Sequence, residues 1–402
     1  MNAVKFTDRP CGTGKTTQMI NSFCPTEQYV VVVPTLSEVQ RVLNTSKVPF
    51  TEPDERLYGT KMAHFKKLLS DGENIVTTHK LFDAVDVRSV DLSAYNLLID
   101  EVFDVIEKLD GPTKEAWNSV YIGDGYATVD GSGQVTPTDK WREQPENLNP
   151  TLELKLFHLA QVGKLHKSED GFFVSVVPPE LFTKPKQTTV HTYLACGSLM
   201  VAYLDKHNVG YTIDQDQGLD MAQRLKAQNL LSVHQISALE NISMSHNRQG
   251  RMRGKVARKV STALKNLRSR QLRGIDTKKI LITCRKEKWL DPDNGAKGLF
   301  ANRSKLKAAN WIAKTTKGTN DYMHCSHAVH LSRLHLSPNI KSYLGVGREF
   351  ERAWAVSELI QWVYRTALRN EQPVELYIAC AHMKSLLEEW LYEDDPVVEL
   401  VA

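Results

Sequence analysis

Cysteine is scarce in this chain and scattered. Six residues in 402 (Cys11, Cys24, Cys196, Cys284, Cys325 and Cys380) include no CxxC pair. That excludes a zinc ribbon and a disulfide framework, and it suits a reducing compartment. No apolar run approaches the roughly 18 residues of a membrane span, and no amino-terminal stretch resembles a secretory leader. The expected location is therefore cytoplasmic. Net charge is small too: 51 basic and 47 acidic residues leave +4, so bulk charge names no partner. What remains is a chain with 41% hydrophobic and 24% charged residues, long enough for two or three soluble globular domains.

Charge is informative in its distribution. Between residues 247 and 273 stand Arg248, Arg251, Arg253, Lys255, Arg258, Lys259, Lys265, Arg268, Arg270 and Arg273, with no acid among them. The carboxyl end, from Glu388 to Glu399, is acidic instead. Val256, Val260, Ala263, Leu264 and Leu267 recur at helical spacing, so one face packs while the bases project. A solvated helical face is the bland reading. A bank of phosphate contacts, which position nucleic acid without reading its sequence, explains the missing acids better.

The most specific stretch is Arg9-Pro10-Cys11-Gly12-Thr13-Gly14-Lys15-Thr16-Thr17. A short strand can end before it and a helix can open at Thr16. Gly12 and Gly14 allow a tight turn whose backbone N–H groups face phosphate oxygens, with Thr13 and Thr17 in the same loop. Lys15 would reach the β- and γ-phosphates, and the Thr16 hydroxyl would hold Mg²⁺. The first position departs from the pattern, with Arg9 where glycine is usual.

Further strands follow at Tyr29–Thr35, Asn74–Lys80 and Asn96–Glu101, with helical patterns between them. This alternation predicts an α/β fold with doubly wound parallel sheets, whose ligands lie outside the carboxyl ends of the strands. Pro34, Thr35, Thr78, His79, Lys80, Asp100 and Glu101 all fall at such ends. Asp100 would hold Mg²⁺ and Glu101 would orient and deprotonate an attacking water. Residues 107–190 break the alternation and read as an insertion. A second domain is expected from 206 onward, so the organisation is 1–205 and 206–402. The second half repeats the α/β pattern, with strands at Lys279–Cys284, Ala308–Lys314 and Val374–Ala379, and lacks a phosphate loop of its own. A long helix over 353–369 would carry Gln361, Arg365 and Arg369 at i, i+4 and i+8 as one polar stripe.

The order of these segments resembles that of superfamily 2 helicases, of the compact DEAD/DEAH-like kind found in bacteriophage genomes. Arg9–Thr17 resembles motif I, Val32–Leu36 motif Ia, and Val76–Lys80 the later nucleic-acid motif of the first domain. Asp100-Glu101-Val102-Phe103 resembles motif II. Leu281–Lys286, Lys317–Asp321 and Gln361–Arg369 resemble motifs IV, V and VI. Leu194–Ser198 stands at motif III but carries Ala195-Cys196-Gly197 in place of the usual hydroxyls. The resemblance implies two RecA-like domains with ATP and Mg²⁺ in the cleft between them, and Arg365 and Arg369 as arginine fingers beside Gln361. It implies single-stranded nucleic acid crossing both domains. Single-stranded or partly duplex DNA is favoured with RNA left open, and a monomer is favoured with the oligomeric state open. The location is the host cytoplasm if the chain is phage-encoded. Contacts would come from Pro34, Thr35, Thr78, His79 and Lys80 on one side. Arg251, Arg253, Lys255, Arg258, Lys259, Arg285 and Thr319 would supply the other. Two other readings stay open: a nucleotide-gated clamp on nucleic acid, and a kinase acting on a small molecule.

Overall fold

The structure, a computed structural model, describes residues 3–144, 150–168, 170–290 and 297–392. Its first sheet is built from β1 (Val4–Asp8), β2 (Gln28–Val33), β3 (Ile75–Thr78), β4 (Tyr95–Asp100), β5 (Gln187–Thr192) and β6 (Tyr211–Gln215), in the order β6-β1-β5-β4-β2-β3. Every pairing in it is parallel. The run Tyr29–Val33 is buried throughout, as expected of a strand covered on both faces. The chain steps one way across the sheet from β1 to β3 and then returns through β4 and β5 to β6. With right-handed crossovers that reversal puts helices on both faces.

The second sheet contains β7 (Leu231–Gln235), β8 (Ile280–Thr283), β9 (Asn310–Trp311), β10 (His327–His330) and β11 (Val374–Ile378), in the order β7-β11-β10-β8-β9. It too is wholly parallel. The two-domain RecA-like arrangement expected from the sequence is thus present. The largest cluster of buried apolar side chains runs from the first sheet into the second domain, joining Leu194, Ala195 and Met200 to Leu359 and Ile360.

Four expected boundaries shift. β6 pairs with β1, so the first sheet extends past residue 205 and the helix Gln217–Leu230 makes the link. The strand expected over Ala308–Lys314 shrinks to Asn310–Trp311. The basic stretch forms two helices, His246–Arg251 and Gly254–Ser269, broken at Met252 and Arg253. On the second of these Val256 is exposed, and Ala257 takes its place on the packed face. The helix expected over 353–369 is Arg348–Val363. It stops because Thr366 turns extended, with its hydroxyl donating to the Val363 carbonyl at 2.6 Å and capping the 3₁₀ turn Ala367–Asn370.

The insertion leaves after β4 and returns before Gln187, where β5 rejoins the main sheet. It carries an antiparallel sheet of Ile106–Leu109, Phe173–Val176 and Leu165–Lys167 and a hairpin of Ala127–Val129 with Val135–Pro137. Trp117, Tyr121, Trp141, Phe157 and Phe173 give it a core of its own. It reaches the second domain, where the Ser342 hydroxyl donates to Asp170 at 2.6 Å. No helix among the described residues is long and apolar enough to cross a membrane.

Candidate functional site

The phosphate-type loop lies between β1 and the helix Lys15–Asn21. Gly12 and Gly14 both take left-handed backbone, at φ +86° and +80°, which explains glycine at each. Lys15 Nζ donates to the carbonyls of Arg9 at 2.8 Å and Pro10 at 3.0 Å, so the loop itself holds the ammonium at its mouth. Arg9 has a structural task. Its guanidinium donates to the Asp8 carbonyl at 2.9 Å and pairs with the Asp214 carboxylate of β6 at 3.1 Å, tying the start of the loop to the sheet edge.

The carboxylates at the end of β4 meet this loop. Thr16 Oγ1 donates to Asp100 Oδ2 at 2.8 Å. Asp100 is buried, and that burial, reinforced by the Glu101 charge, pushes its carboxyl up to about 6 against the opposing effects of Thr16 and Lys15. A buried carboxylate paired with a hydroxyl is a hard-oxygen donor set that fits Mg²⁺, which characteristically takes one or two protein oxygens and completes its shell with phosphate and water. His79, one of the expected nucleic-acid contacts, turns inward instead. Its Nε2 lies 2.9 Å from the Asp100 carbonyl and its ring packs 5.5 Å from Phe103, because β3 ends at Thr78 and His79 opens a helix. Burial holds its imidazole down to about 4, so the ring is neutral and donates from Nε2 to that carbonyl.

Glu101 sits at φ +60°, a left-handed conformation a non-glycine residue rarely adopts. That turn aims its carboxylate across the domain boundary. Oε2 accepts the Gly318 N–H at 2.9 Å and faces Arg365 Nη2 at 3.4 Å. Burial raises the carboxyl, but Arg365, Lys15, Lys317 and the Gly318 N–H together outweigh it and hold it below the ordinary range. Arg365 is almost fully buried and also donates to the Thr319 carbonyl at 3.3 Å. Gln361 donates to the Tyr193 carbonyl at 3.2 Å. The backbone and side chain of Arg369 pack on Gly12. Gln361, Arg365 and Arg369 do not form a helical stripe, yet all three line one cavity of about 320 Å³ with Gly12, Lys15, Thr16, Asp100 and Glu101.

The chain has a prophage-derived relative. The "SPbeta prophage-derived uncharacterized protein YonV" of Bacillus subtilis (strain 168) is 27% identical over 420 aligned positions, covering 97% of this chain and 99% of that protein. Residues 222–391 match the model of the YonV C-terminal Rossmann-like domain. Among solved structures, "XPD_Helicase" is similar at 11% identity and a TM-score of 0.49, covering 97% of this chain and 94% of that one. "Structure of S. tokodaii Xpd4" is similar at 11% identity and a TM-score of 0.46, covering 95% and 92%.

The other expected nucleic-acid contacts fall into two groups. Thr35 and Thr78 cap helices, accepting from Glu38 N at 3.3 Å and Leu81 N at 3.4 Å, while Lys80 is exposed. Pro34 and Thr35 pack against Gly318, and Thr319 faces the cleft through its carbonyl. In the second domain Arg251, Arg253, Lys255, Arg258 and Lys259 are all exposed. Arg285 lies over this bank, its N–H donating to Gln249 at 2.9 Å and its guanidinium against Gly250. Burial, joined by the charges of Arg253 and Arg285, lowers the neighbouring Lys288.

Sequence reasoning missed several participants. Arg41 lines the cavity and donates to Thr17 Oγ1 at 2.7 Å while pairing with Glu38 at 3.2 Å. Its only sequence signal is the Glu38–Arg41 spacing, which any solvated helix shows. Asp8 accepts the N–H groups of Leu194 at 2.9 Å and Ala195 at 2.8 Å, fixing the turn Leu194–Gly197. Gly197 in that turn abuts the second domain, where an added Cβ would lie 2.7 Å from the Ala353 carbonyl.

Proposed function

We propose that this protein is an ATP-dependent nucleic-acid motor that hydrolyses ATP in the cleft between its two domains. The observation that carries this reading is Glu101. It closes the strand beside the phosphate-type loop and is held by Arg365 and Gly318 from the opposite domain. In the proposed reaction Lys15 and the loop N–H groups bind the β- and γ-phosphates, and Thr16 and Asp100 hold Mg²⁺, which supplies charge neutralisation on the phosphate oxygens. Glu101 orients water and accepts its proton. While Arg365 pairs with it, Glu101 is a weak base. Transfer of that guanidinium to the phosphoryl charge frees the carboxylate and raises its basicity. Hydrolysis is thereby tied to an arginine that belongs to the other domain, which gives nucleotide state a grip on domain closure. The exposed bases of 251–259 with Arg285 and Lys80 are the proposed strand contacts. DNA is the proposed strand, on the prophage setting of the relative.

The test is phosphate release from ATP with single-stranded DNA, duplex DNA and RNA side by side at low salt, where phosphate contacts are strongest. Stimulation by a single strand is expected. Equal hydrolysis with and without nucleic acid would remove the motor reading, and a phosphorylated acceptor in place of free phosphate would support a kinase. A clamp with little strand separation is favoured by one feature: the Leu194–Gly197 turn meets the second domain by packing, without hydroxyl donors. Strand displacement measured beside hydrolysis separates motor from clamp.

A further inference from the structure

A second cavity, of about 630 Å³, lies apart from the cleft, where the insertion, the helix Leu199–Lys206 and the second domain meet. Its volume is that of a small-molecule site. His166, on the strand Leu165–Lys167, is 8% exposed, and its Nδ1 has no hydrogen-bond partner. His207 lines the same cavity, and its Nε2 is buried and equally without a partner. Buried polar atoms are normally satisfied, and leaving one unmet is costly, so two in one cavity call for a ligand. Burial holds both imidazoles below their ordinary range, His207 at about 4, and each is therefore a neutral ring with one donor and one acceptor. Tyr343 of the second domain presents its ring 6.0 Å from His166 and 6.4 Å from His207.

The cavity also offers charge. Lys167 and Lys206 line it, and neither has an ion-pair partner among the described residues, although Lys206 lies 5.7 Å over the Tyr343 ring. Two acids face them. Asp170 accepts from Ser342 across the domain boundary, and Glu180 is exposed at the rim. Neutral imidazoles beside an aromatic ring suit a planar, hydrogen-bonding group, and two unpaired ammonium groups suit a phosphate.

We propose that this cavity binds a nucleoside monophosphate unit, with its base or sugar on His166 and His207 and its phosphate on Lys167 and Lys206. Such a unit comes either as a free nucleotide or as one residue of a nucleic-acid strand. Because Ser342 and Tyr343 belong to the second domain, the bound unit fastens the insertion to that domain. The site is independent of hydrolysis in the cleft, and its test does not use it.

Calorimetric titration of the full chain with free nucleoside monophosphates and, separately, with a short single-stranded oligonucleotide tests this. Binding is expected to persist in Lys15→Ala and to weaken at least tenfold in the Lys167→Ala/Lys206→Ala double variant, whose fold is checked by an unchanged melting transition. His207→Phe, which removes one imidazole at the cavity wall, should weaken binding in parallel. Free-nucleotide binding that the double variant weakens identifies a diffusible ligand, and oligonucleotide binding that the double variant weakens, with none by the free nucleotide, identifies a strand. Absence of binding by both, loss of binding in Lys15→Ala, or indifference to the double variant each overturns the proposal.

Discussion

Glu101 holds two properties that rarely coincide: a left-handed backbone and a carboxylate shared with the opposite domain. Glu101→Gln keeps the shape and removes the base. It should retain nucleotide binding and lose turnover, read as nucleotide affinity against phosphate release. Arg365→Ala should lower the hydrolysis rate by roughly 10³–10⁵, the usual worth of an arginine finger. Arg365→Lys should not restore it, because Glu101 and the Thr319 carbonyl both use the guanidinium fork. A different residue governs stability. His330 is fully buried against Trp362 with both ring nitrogens unpartnered, and burial pushes its imidazole down to about 3. The unfolded chain, with its histidine near the ordinary value, takes the proton first. His330 thus withdraws stability as pH falls from about 6.5 toward 3. His330→Leu should stabilise the fold by about 1–3 kcal/mol near neutral pH. Its advantage over the parent in melting temperature should widen at pH 5.

At the scale of elements, the cleft is closed by glycines that admit backbone where a side chain would stand. Gly318 has φ +65°, and a Cβ there would lie 2.4 Å from Pro34 Cγ. Gly318→Ala should therefore push the Gly318 N–H off Glu101, lowering turnover more than nucleotide affinity. Steady-state kcat and KM for ATP measure the split. The β-strands were legible in the sequence because parallel strands buried on both faces appear as unbroken β-branched runs, as at Tyr29–Val33. The loop with Gly12, Gly14, Lys15 and Thr16 was legible because its chemistry is local. Arg365 and Arg369 line one cavity with Gln361, but not by the route that helical spacing suggests. Helical spacing placed them on one face, while Thr366 ends the helix and a 3₁₀ turn brings them to the same cavity. His79 and Arg41 were misread or missed because the partner that turns each inward lies on another element, which periodicity cannot report. The insertion gave turns and short strands but no sign of its aromatic core, since Trp117, Trp141 and Phe173 converge from segments far apart.

For the whole molecule, the exposed bases of the second domain make a testable electrostatic surface. Arg258→Glu with Lys259→Glu should weaken strand binding across sequences alike. It should also flatten the dependence of log affinity on log salt by about 0.7 for each single-strand phosphate that is no longer neutralised, as measured by anisotropy at several salt concentrations. The assembly order of the molecule follows from its sheet. β1, which carries the phosphate-type loop, has β5 on one side and β6 on the other, and the ion pair from Arg9 to Asp214 joins positions 205 apart in the chain. During synthesis β1 leaves the ribosome before both of its sheet neighbours, while β4, β2 and β3 can associate as soon as they are made. A strand edge of this kind, waiting for half the protein to be made, is exposed to chaperones and to mispairing. The cleft is begun by β1 and its loop and is complete only once Gly318 and Arg365 of the second domain have been made as well.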